Sequence, residues 1–210
     1  MKANEFIIEG KNHPCIVIDV QPEYSGSNEN QIFVKIIEFV NNQTGPVLMF
    51  VNAEETGVSG DSVQDIKLYW EDTIRGEDYD WENPIDWGRF TIVDKGYGYF
   101  RTWMDLNISP ALIIKTIRLL YQERVNDTRL LFGGEDSPEY EEAMKKWAGK
   151  EYQDWMLNDP IIIEWTSVAQ LKRFNGAYIV GGGRNECLRE VELLMSAFNI
   201  KYKRINNLIY

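Results

Sequence analysis

The stretch AYIVGGGRNECL, residues 177–188, decides the fold. Residues 177–181 form a short apolar run that ends at glycine, which is typical of a buried β-strand. Two more glycines follow, and then apolar residues recur with the period of a helix: Leu188, Val191, Leu194, Met195 and Phe198. A strand, a glycine turn and a helix in direct succession predict one unit of an α/β fold.

Further apolar runs, rich in Ile and Val and bounded by turn residues, predict four more buried strands over 15–20, 47–52, 90–94 and 161–165. Strands that are apolar almost without interruption suit a parallel sheet covered on both faces. Residues 200–205 alternate apolar and basic side chains, which indicates an edge strand. Helical stripes lie between the strands, and Ser109-Pro110 and Ser137-Pro138 are typical helix starts.

The sequence therefore predicts an α/β three-layer sandwich with a mostly parallel sheet. We expect one α/β domain over residues 1–210, with a largely helical insertion over 107–164. Residues 69–90 are acidic and aromatic and are interrupted by Gly and Pro, so we expect a long ordered loop there. Such a loop is either a lid over a pocket or a solvated segment held by aromatic packing.

Composition excludes several classes of function. The net charge is 22 − 33 = −11, which argues against a large nucleic-acid surface, because phosphate binding depends on clustered Lys and Arg. No apolar run reaches the ~18 residues of a membrane span, and the first residues lack the features of a signal peptide. The two cysteines are too few for a disulfide framework. Together with the single histidine, His13, they are also too few for a Cys/His zinc site unless carboxylates supply the remaining ligands. We expect a cytoplasmic protein with no metal and no cofactor.

Three residues could form a site at the carboxyl edge of the sheet, where α/β folds bind ligands. Asp19 ends the first predicted strand, Lys95 follows the strand over 90–94, and Cys187 lies at the start of the last predicted helix with Asn185 as its N-cap. Backbone N–H groups and the dipole of a helix start stabilise a thiolate. Each residue also has an ordinary explanation: a turn cap, a surface lysine and a small buried side chain.

The glycine run also suggests a phosphate-binding loop, but the sequence does not support that. A dinucleotide fingerprint requires a third glycine where Glu186 stands, and no Gly-Lys-Ser/Thr sequence of a P-loop is present.

Taken together, the three motifs resemble the isochorismatase-like family of cysteine hydrolases. That family has a triad of Asp after the first strand, Lys after a later strand and Cys at a helix start. Here these motifs are IDVQ around Asp19, KGYGYFRT from Lys95, and GGGRNECL around Cys187. Their order along the chain agrees with the family.

Three departures from the family pattern stand out. The Lys-to-Cys separation of 187 − 95 = 92 residues is long, which is why an insertion over 107–164 is expected. Arg184 stands where the family usually has Thr. Residue 21 is Gln, so the Asp-x-His metal motif of nicotinamidases is missing.

The resemblance implies hydrolysis of a small amide, imide or related C–N substrate through a Cys187 nucleophile. Asp19 would act as the base and Lys95 as the cation that lowers the thiol pKa. Substrate and oxyanion contacts would come from the four remaining candidates: Gly183, Arg184, Glu186 and Phe100. The expected partner is a small-molecule substrate, with no nucleic acid and no membrane, and a homo-oligomer is left open.

Two other classes remain open. One is a non-catalytic binding or assembly protein on the same fold, suggested by the insertion and by seven tryptophans. The other is a metal-dependent nuclease or phosphodiesterase of PIN-like type, in which Asp19 would join Glu54, Glu55 and Asp61. The second alternative gives Cys187 no role.

Overall fold

A computed structural model describes residues 12–25, 30–52, 62–75, 85–95, 100–134 and 137–210. These residues form an α/β structure with a five-stranded, all-parallel sheet of order β3-β2-β1-β4-β5. The strands are β1 Cys15–Ile18, β2 Val47–Val51, β3 Phe90–Asp94, β4 Ala177–Gly181 and β5 Tyr202–Arg204. The predicted strands over 15–20, 47–52, 90–94 and 177–181 are confirmed. The edge strand expected within 200–205 is confirmed as β5.

The chain divides into two compact units. The first comprises residues 1–96, 174–184 and 202–210 and includes the whole sheet. The second comprises residues 97–173 and 185–201.

In the first unit, helices α1 Asn30–Asn41 and α2 Val63–Arg75 pack against one face of the sheet. Phe33, Ile36 and Ile37 of α1 are buried there, together with Ile66 and Trp70 of α2. On the opposite face, Ile16, Ile18, Leu48, Phe50 and Ile179 are buried as well. Burial on both faces explains why the strands are apolar without alternation, and it is consistent with a three-layer α/β fold.

The second unit is helical within its described residues. It contains α3 Arg101–Asp105, α4 Pro110–Glu123, α5 Thr128–Leu131, α6 Tyr140–Ala148, α7 Trp165–Lys172 and α8 Cys187–Ala197. Ser109 caps α4 as its sequence predicts, since its hydroxyl accepts the N–H of Leu112. The residues predicted as an insertion, 107–164, form α4 to α6 and several short 3-10 turns. Helix α4 packs on α8, which follows the sheet strand β4 in sequence.

Two predictions of local structure are wrong. Residues 161–165 do not form a strand: Ile162 makes one isolated bridge with Asp127, and Trp165 is the first residue of α7. Residues 69–75 are not loop but the second half of α2. That helix begins with a reciprocal cap, in which the Ser62 hydroxyl accepts the N–H of Asp65 and donates to its carboxylate. Residues 76–84 of the expected lid lie outside the described residues.

No helix in the described part of the chain is long and apolar enough to cross a membrane.

The close approach of β1 and β4 at Gly181 gives the first prediction. Gly181 has φ +77°, and a Cβ there would lie 2.4 Å from the Ile18 carbonyl oxygen. Gly181→Ala is expected to lower the free energy of unfolding by about 3 kcal/mol, because backbone strain and a backbone clash combine. Gly176→Ala is the matched control, since Gly176 has φ +86° but open space around the added carbon. It should cost only about 1 kcal/mol of strain. Urea denaturation measures both, and equal losses would contradict the clash.

Candidate functional site

A buried ion pair lies at the carboxyl end of the sheet. Asp19 follows β1, the central strand, and Lys95 follows β3. The Lys95 Nζ is 3.3 Å from Asp19 Oδ2, and both side chains are only 2% exposed. The N–H groups of Asp19 and Lys95 donate to Phe50 and Val51 of the intervening strand β2. The lysine side chain therefore bridges the end of β2 to reach the aspartate.

This pair has an energetic cost that a purely structural role does not explain. Removing two charges from water costs several kcal/mol, and the attraction between them often does no more than offset that cost. In other proteins, apolar side chains of similar size often replace a buried ion pair with no loss of stability. Buried charges at the ligand-binding edge of an α/β sheet are therefore candidates for function.

The backbone at Asp19 is strained. Its φ is +53°, in the left-handed region that non-glycine residues seldom adopt. Aspartate tolerates this conformation better than most residues, but it persists only where the surrounding structure imposes it.

The surrounding structure holds this turn at three successive residues. The Tyr210 hydroxyl donates to the Asp19 carbonyl at 3.0 Å. The Trp70 indole N–H donates to the Val20 carbonyl at 2.8 Å. The Gln21 side chain makes two 2.9 Å hydrogen bonds to the backbone of Asn52, one in each direction. The turn that carries Asp19 is therefore fixed by side chains and backbone from distant parts of the chain.

Tyr24 lies in the electrostatic field of the ion pair. Burial, and secondly the negative charge of Asp19, raise the pKa of its phenol to about 12, against smaller opposing effects of Asn52 and Lys95. The Asn52 side-chain amide donates to the Tyr24 hydroxyl at 3.3 Å. Tyr24 is therefore a neutral phenol at physiological pH.

The glycine loop after β4 contributes backbone to the same end of the sheet. Gly181 and Gly182 both have positive φ, at 77° and 71°. Ile18 of β1 is the register partner of Gly181. Gly183 is half-buried and Arg184 is exposed, and the Arg184 N–H donates to the Tyr210 carbonyl at 3.0 Å. The predicted residues Asp19, Lys95, Gly183 and Arg184 thus all belong to the first unit.

The predicted residues Phe100, Glu186 and Cys187 belong to the second unit. Cys187 is half-buried and lies in the first turn of α8, as predicted, where it is the first residue of the helix. The N-cap, however, is Glu186 and not Asn185, and its side chain does not cap the helix. Glu186 instead pairs with Arg101, with Oε2 and the guanidinium nitrogen 3.3 Å apart.

A second cation therefore lies next to the start of α8. Burial lowers the pKa of Arg101, but this is outweighed by its hydrogen bond to Asp105 and by the negative charges of Glu186, Asp105 and Cys187, so that the pKa is raised. Phe100 is buried, and its N–H donates to the Glu190 carboxylate of α8 at 3.0 Å. Arg101 and Glu190 were not among the predicted site residues.

Other residues of the site were missed as well: Tyr24, Asn52, Trp70 and Tyr210. Asn52 is the last residue of the strand predicted over 47–52, and that position could have marked it. Tyr210 carries no such signal, because its contact with Asp19 spans 191 residues.

The carboxylates of the metal-enzyme alternative, Glu54, Glu55 and Asp61, lie outside the described residues. Among the residues that the structure does describe, no three His, Cys, Asp or Glu side chains are grouped to hold a metal ion. Asp19 faces the Lys95 ammonium.

No family model, curated protein or solved structure matches this chain. The resemblance to isochorismatase-like hydrolases therefore stays a prediction from three motifs.

Proposed function

We propose that this protein hydrolyses a small amide, imide or related C–N substrate through Cys187, with Asp19 and Lys95 as the other two catalytic residues. The observation that carries the proposal is the buried Asp19–Lys95 ion pair at the carboxyl end of the sheet, on a strained and tethered turn. Strain and buried charge of this kind concentrate at active sites.

The proposed reaction has two stages. Asp19 takes the Cys187 thiol proton, and the thiolate attacks the carbonyl carbon. The C–N bond then breaks, the nitrogen leaves with the proton from Asp19, and a thioester remains. In the second stage Asp19 removes a proton from water, and the hydroxide attacks the thioester carbonyl. The C–S bond then breaks, the acid product leaves, and the proton returns from Asp19 to the Cys187 sulfur.

Charges and backbone dipoles support these roles. The Lys95 ammonium, 3.3 Å from Asp19, fixes the carboxylate and favours negative charge nearby. Cys187 is the first residue of an 11-residue helix, where the helix dipole and backbone N–H groups favour a thiolate. The N–H groups between Gly183 and Cys187 would stabilise the oxyanion.

The substrate proposed is small and carries its own anionic group. Arg184 is exposed beside the glycine loop, and its guanidinium suits a carboxylate or phosphate. The protein's net charge of −11 makes such a local cation the natural anchor for an anionic substrate.

Hydrolysis of a panel of small primary amides and cyclic imides tests the proposal, with ammonia release measured for the amides and ring opening to the amide acid measured by chromatography for the imides. The native protein should hydrolyse at least one member of the panel. Cys187→Ser and Asp19→Asn should each lower kcat/KM at least about 10²-fold, because each removes a group that acts in the transition state. Cys15→Ser is the matched control and should leave the rate unchanged. Activity that survives in Cys187→Ser would contradict the proposal.

The same preparations separate the two alternatives. A metal-dependent phosphodiesterase would cleave bis(4-nitrophenyl) phosphate with Mn²⁺ and lose that activity in Asp19→Asn. A non-catalytic protein would hydrolyse neither the amides nor the phosphodiester.

A further inference from the structure

One residue joins the two loops that follow the neighbouring strands β1 and β4. The Tyr210 hydroxyl donates to the carbonyl of Asp19, and the main-chain carbonyl of Tyr210 accepts the N–H of Arg184, each at 3.0 Å. The Asp19 loop begins just after Ile18, and Ile18 is the register partner of Gly181, where the glycine loop begins. Tyr210 thus bonds to both loops within the first unit.

The position of the Tyr210 ring is itself fixed. Its centroid lies 5.1 Å from that of Phe33, with the two planes inclined by 59°. Phe33 is fully buried on α1. The Tyr210 ring also packs against the buried core of the first unit, and its hydroxyl lies within hydrogen-bonding distance of the Asp19 carbonyl, so it is placed to constrain that residue.

The carbonyl that accepts the Tyr210 hydroxyl belongs to Asp19, the residue with the strained backbone. With φ at +53°, Asp19 departs from the extended conformation of the strand residues before it, and in this conformation its carboxylate lies 3.3 Å from the Lys95 ammonium. Trp70 and Gln21 hold the two following residues, and the Tyr210 hydroxyl donates to the Asp19 peptide itself.

We propose that Tyr210 is a positioning residue of the site: it holds Asp19 in the conformation that faces Lys95 and ties that conformation to the glycine loop at Arg184. The catalytic meaning of this role depends on the proposed hydrolase function, whereas its effect on the ion pair does not.

A double-mutant cycle tests the inference. Tyr210→Phe removes one hydroxyl and keeps the ring. It is made in the native protein and in an Asp19→Asn/Lys95→Met background, which keeps the main-chain carbonyl at residue 19 but removes both charges together. We expect Tyr210→Phe to raise the unfolding equilibrium constant about fivefold in the native protein and less than about twofold in that background. Tyr178→Phe, at the opposite end of β4, should have the same effect in both backgrounds.

A hydrogen bond that only supports the fold gives a different result. It would cost the same factor in both backgrounds, since the carbonyl that it reaches is present in both. That result would overturn the proposal.

A second measurement needs only the conservative variant. The carboxyl carbon of Asp19 is titrated by NMR in protein carrying carbon-13 aspartate. Tyr210→Phe should shift the titration midpoint of the Asp19 carboxyl group by at least about half a pH unit, because the distance between this carboxylate and the Lys95 ammonium is no longer fixed. An unchanged midpoint would overturn the proposal even if the charge-free background did not fold.

The double-mutant cycle and the amide assay test the two proposals separately. Coupling without amide hydrolysis would remove the proposed function and leave Tyr210 as the residue that positions the ion pair. Additive effects with hydrolysis intact would remove this inference alone.

Discussion

Lys95→Met is expected to lower the free energy of unfolding by about 3–5 kcal/mol, although methionine is apolar and fits the same volume. The loss arises because the Asp19 carboxylate stays in a site where the pair is only 2% exposed, with its cationic partner removed. Urea denaturation at neutral pH measures the loss through the shift in the unfolding midpoint.

The double variant Asp19→Asn/Lys95→Met distinguishes a lost attraction from an uncompensated charge. Removing both charges together should restore most of the native stability, and an apolar replacement can even exceed it. Lys35→Met, on the exposed side of α1, is the control and should change stability by less than about 0.5 kcal/mol. If the double variant were less stable than Lys95→Met alone, the pair would be a net source of stability. Its contribution to stability would then explain the pair without a function.

The sheet was predictable because its strands carry their own signals. The runs over 15–20, 47–52, 90–94 and 177–181 are apolar without alternation and end at turn residues, and all four are strands of one parallel sheet. The two-sided burial that produces this pattern is a local property of composition. Strand order and register are set by packing along the whole chain, so they came only from the structure.

The two errors in local structure have related causes. Residues 161–165 are apolar and short, as a buried strand would be, but Ile161 and Ile163 are buried in a helical unit and their hydrogen bonds go to Thr128 and Asn126. Helix α2 carries charged residues and tryptophan together, which conceals a buried stripe of only Ile66 and Trp70. A short apolar run does not distinguish a strand from a buried connection, and a narrow stripe does not stand out in an acidic segment.

Part of the site was predictable because two of its residues directly follow strands that the sequence identifies. Asp19 and Lys95 follow strands, and parallel strands bring their carboxyl ends to one edge, so the sequence pointed to both members of the ion pair. The residues that hold Asp19 could not be found in this way. Asn52, Trp70 and Tyr210 meet the turn across 31, 50 and 191 residues, and no periodicity connects positions so far apart.

The two cysteines should differ in alkylation rate by about three orders of magnitude near neutral pH. Burial raises the pKa of the Cys15 thiol to about 12, against a smaller opposing effect of the Arg89 charge. Only a minute fraction of Cys15 is therefore thiolate, and the thiolate is the reacting species. Cys187 is half-buried at the start of α8, where helix N–H groups and the nearby Arg101 favour the thiolate. Iodoacetamide labelling followed by mass spectrometry over time gives both rates from one sample.

The hydrolase proposal also predicts how the labelling rate of Cys187 changes in variants. In the Asp19→Asn/Lys95→Met variant, which keeps no unpaired buried charge, the proposal requires Cys187 to react about tenfold more slowly because the proposed base and cation are gone. Cys15 should be unaffected and serves as the internal control. Arg101→Met should slow Cys187 whether or not the hydrolase proposal holds, since Arg101 and Cys187 interact within one unit. The alkylation rate of Cys187 could fall in Arg101→Met and stay unchanged when Asp19 and Lys95 are replaced. Asp19 would then not act as the base for the Cys187 thiol. The binding-protein alternative would then account for the buried pair better than catalysis does.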